Sequence, residues 1–287
     1  MTPPVLRAMT LADLPFCLRL SSVAGWNQTA HDWRRALALE PHGAWIAALD
    51  ERDVGTVTTC RFQTVGWIAL LLVAPAARRR GVGRALFERA VEYLEECGAT
   101  SQRIDATPLG QPLYEEFHFS ADFTVARFAG SPRATLPEAA ESPSLEPVKP
   151  ADLPDILELD ARITQTRRTR LLERLYAQAP DSARLVRGRD AQTLDAFGFA
   201  RPGRMAAQIG PCLAASPTSG ERLLRDALRR FVGQFVYVDI PVDHHAACEI
   251  ARRAGLEVQR TLVRMSRGLR IHESRGQLWS SSGPEKG

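Results

Sequence analysis

The sequence predicts an α/β fold written twice along one chain. Three observations carry that expectation. Across the first half, short apolar runs of strand length alternate with segments whose apolar residues recur at helical spacing. The tetrad Ala-Asp-Leu-Pro stands at residues 12–15 and again at 151–154. At nearly the same offset, residues 119–128 align with 256–265, sharing Thr124/Thr261 and Arg127/Arg264. Either match alone is weak, because Asp is a common helix cap. Two at nearly one spacing argue for a repeated domain.

In order, the first copy reads as a strand over residues 5–9, then helices over 13–23 and 29–39. Strands follow over 44–49, 54–62 and 67–73, and the last is almost wholly apolar, which predicts a central place in a sheet. Val82, Leu86, Ala90, Leu94 and Cys97 keep helical spacing, with Gly98 placed to end the helix. A strand over 102–106, a helix over 111–117 and a strand over 120–128 complete the unit. Pro, Ser, Ala and Glu dominate the stretch that follows, with no apolar period, as in a linker. The division is therefore a first domain over 1–130, a linker over 131–144, a second domain over 145–268 and a flexible polar tail over 269–287.

At 287 residues, 45% hydrophobic and 24% charged, the chain is long enough for two such units, each with its own core. No apolar run approaches the ~18 residues of a membrane helix, and the first residues lack a charged segment leading into an apolar one. A cytoplasmic protein with no membrane partner is expected. Nearly every cation is arginine, the lysines being Lys149 and Lys286, a usage that suggests a bacterial genome. A net charge of +4 without basic and aromatic interleaving argues against a nucleic-acid partner. Cys17, Cys60, Cys97, Cys212 and Cys248 form no CxxC pair, so neither disulfides nor zinc are suggested. His244 and His245 are adjacent, point apart on a helix and have no completing ligand, so they read as a helix start, and no metal is expected.

The most informative stretch runs from Val73 through Pro75 to Arg78, Arg79, Arg80, Gly81, Val82, Gly83 and Arg84, between the apolar strand and the amphipathic helix. Glycines at 81 and 83 let the backbone approach a ligand closely, so that amides at a helix start can point at an anion. A helix N-terminus favours an anionic group by about 0.3–1 kcal/mol, and arginines around it add charge suited to a pyrophosphate. The P-loop and dinucleotide fingerprints fit poorly, because the loop has neither their lysine nor their third glycine.

These residues resemble the GNAT superfamily of N-acetyltransferases, whose signature [QR]xxGx[GA] follows a strand ending in V-x-P. Arg78, Gly81 and Gly83 fill the signature, and Val73 and Pro75 its lead-in. The resemblance implies a tandem protein in which each domain is a mixed, mostly antiparallel twisted sheet flanked by helices. It implies acetyl-CoA as co-substrate, its pyrophosphate held by the amides of Arg79, Arg80, Gly81, Val82, Gly83 and Arg84. Leu71, Leu72 and Val73 would run beside the pantetheine arm.

The segment from Pro112 to Phe119 is similar to the LYExxGF segment of the same family. By that likeness Tyr114 donates a proton to the departing thiolate, and a tyrosine titrating near ~10 is protonated at neutral pH. His118 replaces the customary glycine and reads as a turn residue. The acceptor would be a primary amine on a small molecule or peptide, attacking the thioester directly while a backbone amide of the preceding strand polarises the carbonyl. Deprotonating a lysine-like amine at pH 7 costs on the order of 4–5 kcal/mol. No base is assignable from Asp105, Glu115 or a water chain. Trp26 and Asn27 lie where the family binds its acceptor, and Trp26, Trp33 and Trp67 could line a pocket, although core packing explains tryptophans as well.

The second copy has lost these features. Gly83 falls on Gly220 and Leu86 on Leu223, but Gly81 falls on Thr218, the stretch 215–220 has no arginine, and Tyr114 falls on Ala251. Gly255 keeps the glycine that His118 replaces. The expectation is a degenerate second domain that retains the fold without catalysis. The alternative for the whole chain is a non-catalytic acyl-CoA sensor.

Overall fold

The computed structural model describes residues 3–133, 145–188 and 192–285. The first copy comprises β1 (Val5–Ala8), α1 (Leu14–Val23), α2 (Ala30–Leu39), β2 (Ala44–Leu49), β3 (Arg52–Phe62) and β4 (Val65–Val73). Then come α3 (Val82–Glu96), β5 (Ser101–Ala106), α4 (Gln111–Glu116) and β6 (Ser120–Gly130). The second repeats this order as β7 (Leu145–Pro147), α5 (Leu153–Thr164), α6 (Thr169–Gln178), β8 (Arg184–Arg187), β9 (Leu194–Arg201) and β10 (Ala207–Ala214). It continues with α7 (Pro217–Arg230), β11 (Val236–Pro241), α8 (His245–Arg253) and β12 (Glu257–Gly268). A further strand, β13 (Leu278–Ser280), follows. Helix starts obey local chemistry: Thr29 caps α2 by accepting the Asp32 amide, while Asp32 accepts the Thr29 amide at 2.8 Å.

The two copies do not form separate sheets. They share one thirteen-stranded sheet in the order β1-β2-β3-β4-β5-β12-β6-β11-β10-β9-β8-β7, with β13 beside β10. Pairings are antiparallel except β4–β5 and β10–β11, which run parallel. The centre explains the fusion. Each copy ends on a single strand after its last helix, so its fifth strand would expose a bare edge; the last strand of the other copy covers that edge. Thus β12 lies on β5, β6 lies on β11, and β6 and β12 pair with each other.

Buried arginines clasp the exchange, and they are the two that the repeat picked out. Arg127 on β6 donates twice to Asp239 on β11, at 2.8 Å each. Arg264 on β12 donates to both oxygens of Asp105 on β5, at 2.8 and 2.9 Å. Each copy has core clusters largely of its own, and one further cluster is shared between them. Phe62, Val65 and Trp67 of the first copy pack in one cluster with Ile156, Leu171 and Phe197 of the second. Burial that crosses the halves couples them into one unit.

The tail was expected to be flexible; among its described residues it is packed. Glu273 accepts from Arg103 at 2.8 Å and Arg264 at 3.0 Å, β13 pairs antiparallel with β10, and Trp279 is buried. Composition hid this, because the serines that look solvent-loving are buried with their hydrogen bonds made: Ser280 donates to the Ile209 carbonyl at 2.8 Å, and the Ser281 amide to that of Asp239. Most of the linker expected over 131–144 lies outside the described residues.

Candidate active site

Two strands that part company make the site. β4 and β5 pair only from Val65 to Trp67, against Ser101 to Arg103. Beyond that, β4 carries an irregularity: Thr58 faces Ala69 and Thr56 faces Leu72, so Leu70 and Leu71 oppose one residue, with Leu70 at φ 51°. A bulge increases local twist and bends its strand. The edge of β4 from Ile68 onward is left without a strand partner, and a cleft of about 480 Å³, counting space open to solvent, lies in the wedge.

The cleft is lined by Ile68, Ala69, Leu70 and Leu71 on one side and by Ile104, Asp105 and Thr107 on the other. Tyr114 from α4 enters it, as do Trp26, Arg260 and Leu262, and Pro284 and Glu285 of the tail. Tyr114 is held by its ring, whose centre lies 4.5 Å from that of Phe87 on α3. Among the described residues its hydroxyl makes no hydrogen bond. Burial pushes the phenol well above its ordinary range, so it keeps its proton.

At the far end of β4 the chain turns through a short 3-10 segment at Pro75–Ala77 into α3. Arg79 and Gly81 take positive φ, 61° and 79°, and Gly81 caps the helix without any side-chain hydrogen bond. Among the described residues, the amides of Arg79, Arg80, Gly81, Val82, Gly83 and Arg84 have no acceptor; helical bonding resumes with Ala85 donating to Gly81 at 3.0 Å. A Cβ at Gly81 would meet nothing, and one at Gly83 only Val73, at 3.7 Å. Glycine at 83 is thus not demanded by packing within the fold; the space beside it is open. Arg80 reaches Asp50 at 3.4 Å, Arg84 pairs with Glu116, and Arg78 and Arg79 are exposed.

The same place in the second copy is filled by its own chain. β10 carries the matching irregularity, with Ile209 facing Ala200 and Cys212 facing Gly198, so Cys212 and Leu213 occupy the positions of Leu72 and Val73. There β13 pairs with them, Ser280 on Cys212 and Leu278 on Leu213. Ser216 caps α7 by accepting the Ser219 amide at 3.3 Å, Pro217 removes another donor, and Ser216 is itself bonded to Asp195. The Trp279 indole packs so closely on Gly220 that a Cβ there would fall 2.0 Å from the ring.

Other sequence-stated roles sort by geometry. Trp26 lines the cleft, whereas Trp33 and Trp67 are core residues, Trp67 lying under the guanidinia of Arg103 and Arg264. Asn27 has a structural role instead: its amide donates to Ala206 at 2.9 Å and accepts from Met205 and Ala206 at 2.8 and 3.1 Å, clasping the halves, and it does not line the cleft. Burial pushes the Asp105 carboxyl up against the pull of Arg264, which engages both its oxygens, so it is a structural ion. Glu115 is exposed and accepts from Gln111. His118 is an exposed turn residue at φ 64°, and His244 caps α8 by accepting the Ala247 amide. Arg260, Pro284 and Glu285 were not foreseen: they lie far in sequence from β4 and Tyr114, and only the exchange of β12 and the packing of the tail bring them here. A larger open groove of about 1770 Å³, between α2 and α6, shares no lining residue with the cleft. Among the described residues no group of His, Cys, Asp and Glu is placed to hold a metal, and no helix is long and apolar enough to cross a membrane.

Comparison with known proteins agrees with this arrangement. Residues 14–119 match the family model described as acetyltransferase (GNAT) family, and 156–280 that described as acetyltransferase (GNAT) domain. The second match runs through β13, so the packed tail falls within it. A structure of a proposed acetyltransferase from Pyrococcus horikoshii superposes with a TM-score of 0.83 at 22% identity, covering 100% of this chain and 97% of that one. A GCN5-related N-acetyltransferase from Sphaerobacter thermophilus gives 0.68 at 18%, covering 98% and 100%. A tandem GNAT protein from the clavulanic acid biosynthesis pathway gives 0.62 at 16%, covering 93% and 98%. At these identities the likeness is one of fold. No curated protein matches the chain. With a GNAT model matched in each half, together spanning well over half its length, and the split strand and open helix start on the page, the chain belongs to the GNAT acetyltransferase family as a tandem member.

Proposed function

We propose that the first copy is an acetyl-CoA-dependent N-acetyltransferase acting on a primary amine, and that the second no longer binds the coenzyme. The observation that carries this reading is the run of unpartnered amides from Arg79 to Arg84, opening onto free space at a helix start beside an unpaired strand edge. The first amides of a helix have no intrahelical acceptor, and such donors gathered around a left-handed glycine suit an anion such as a diphosphate. The edge of β4 supplies hydrogen-bonding groups for an extended arm with amides, as pantetheine has. Acetyl-CoA brings an activated thioester.

The chain's own residues then have these roles. The loop amides and the arginines around them hold the diphosphate. The β4 edge orients the arm and offers an amide to the carbonyl oxygen as negative charge develops there. The lone pair of the neutral amine forms the new C–N bond and the C–S bond breaks; the thiolate takes the Tyr114 proton, the ammonium formed by the attack sheds its proton to solvent water, and Tyr114 regains one from solvent, so the charges balance. Because burial raises the phenol, its proton is always available, but full transfer to a thiolate is uphill on its own. Transfer therefore runs with the shedding of the ammonium proton. Among the described residues the two acids lining the cleft already have partners, Asp105 in Arg264 and Glu285 in Gln28 and Arg201, so the amine enters neutral.

Calorimetry with acetyl-CoA, followed by thiol release across polyamines, amino acids, aminoglycosides and peptides, tests the reading. One coenzyme bound per chain with turnover of an amine is expected. Binding without turnover of any amine would leave a sensor instead.

A further inference from the structure

One guanidinium lines the Tyr114 cleft, that of Arg260 on β12. Its Nε is shut off from solvent with no hydrogen-bond partner, and among the described residues no hydrogen bond or ion pair reaches the side chain. Arg260 is half-buried, and the more deeply buried Arg35, Arg103, Arg127, Arg168 and Arg264 each have an ion-paired carboxylate. Directly across the strand pair stands Arg127, whose carboxylate partner is already engaged on both oxygens. Like charges opposite one another destabilise a sheet. Burial and the neighbouring Arg127 push the Arg260 guanidinium down, against the weaker pull of Asp239, Tyr237 and Glu285. The register of β12 slips between Val258 and Arg260, a bulge of the kind that re-aims side chains beside sites.

The cleft also shows what this cation lacks. Glu285 lies on the same wall, but its carboxylate accepts from Gln28 and pairs with Arg201 at 3.6 Å. Asp105, the other acid there, belongs to Arg264. Both carboxylates have other partners, and Arg260 lines the space in which the acceptor must stand, with Trp26 and Leu262 beside it.

We propose that Arg260 holds a carboxylate of the acceptor, so that the amine acetylated in this cleft belongs to an amino acid; this rests on the transferase reading of the same cleft. A charge-assisted, bidentate pair fixes orientation as well as position. The amino group would be presented to the thioester by a contact that a simple alkylamine cannot make.

The test uses the full chain and pairs of acceptors that differ by the carboxylate alone: leucine and isoamylamine, phenylalanine and phenethylamine, lysine and cadaverine. For at least one pair, kcat/KM should favour the amino acid by ~10-fold or more, the range of a charged hydrogen bond. Arg260→Gln should bring that ratio towards one through KM, and Arg260→Lys should keep part of it. Melting of Arg260→Gln should occur at the wild-type temperature or above it, since an unpaired half-buried charge is removed, and coenzyme A affinity measured calorimetrically should be retained. Amines accepted regardless of the carboxylate, a ratio untouched in Arg260→Gln, or coenzyme binding with no amino acid turned over would each overturn the assignment. A wild-type chain that binds no coenzyme A would overturn the transferase reading instead.

Discussion

Replacing Tyr114 by phenylalanine separates chemistry from folding. The hydroxyl has no hydrogen-bond partner among the described residues, while the ring packs on Phe87 with centres 4.5 Å apart and would stay there. Removing a hydroxyl that bonds no protein group and opens on the cleft should change stability by less than ~1 kcal/mol, so the melting temperature should hold. Positioned general acids contribute ~10²–10⁴ in rate, and kcat should fall by that factor. Free thiol followed in time with acetyl-CoA and an acceptor reads kcat, and calorimetry reads coenzyme affinity, which should not move. The pH dependence has a definite sign. Burial raises the phenol, so the folded state favours the protonated form; its stabilisation is complete below the ordinary tyrosine value near ~10 and is lost as pH rises through the folded value. Loss of the Tyr114 proton therefore sets no limit on wild-type rate at neutral or mildly alkaline pH. Turnover of Tyr114→Phe within about twofold of wild type, at unchanged stability, refutes the proton-donor role, which is worth orders of magnitude by the same reasoning.

Gly83→Asp should weaken coenzyme A binding by ~10-fold or more in calorimetry while the melt stays unchanged, because a Cβ there meets only Val73 and acids suit a helix start. Arg264→Met should cost ~3–5 kcal/mol in denaturant unfolding by stranding Asp105, and Arg264→Met with Asp105→Leu should recover much of that. In the same network burial pushes Glu273 up, but Arg264 and Arg103 outweigh it and hold it at about 2; its stabilisation should be present above the ordinary glutamate value and lost as pH falls through about 2. Trp279→Ala should cost ~3–5 kcal/mol by emptying the filled cleft of the second copy, with coenzyme stoichiometry still one per chain.

Local signals were legible in the sequence. The apolar run at 67–73 became β4, interior in the sheet order but open on the β5 side from Ile68 onward, and helical spacing with Gly98 marked α3. Arg78, Gly81 and Gly83 fell where a helix start leaves its amides unspent. What sequence could not show was which copy each strand serves. Arg127 and Arg264 aligned as a repeat, yet only the sheet order reveals that each pairs with an acid of the other copy. The tail was misread for a related reason: serine and glycine look solvated until a sheet edge, here β10, takes up their polar groups. Asn27 was placed in the right neighbourhood, but its bonds are to Met205 and Ala206, contacts that span the two halves. Arg260 carries no local signature, since its meaning lies in a missing partner.

The central claim is that the amides from Arg79 to Arg84 grip the coenzyme's diphosphate. Hydrogen–deuterium exchange of the peptide spanning them, with and without acetyl-CoA, addresses it directly. Those amides have no acceptor in the free chain, so they should exchange quickly alone and be protected when coenzyme is bound, with no matching change at the start of α7. Coenzyme binding that leaves their exchange untouched, or that protects the α7 start instead, contradicts the account.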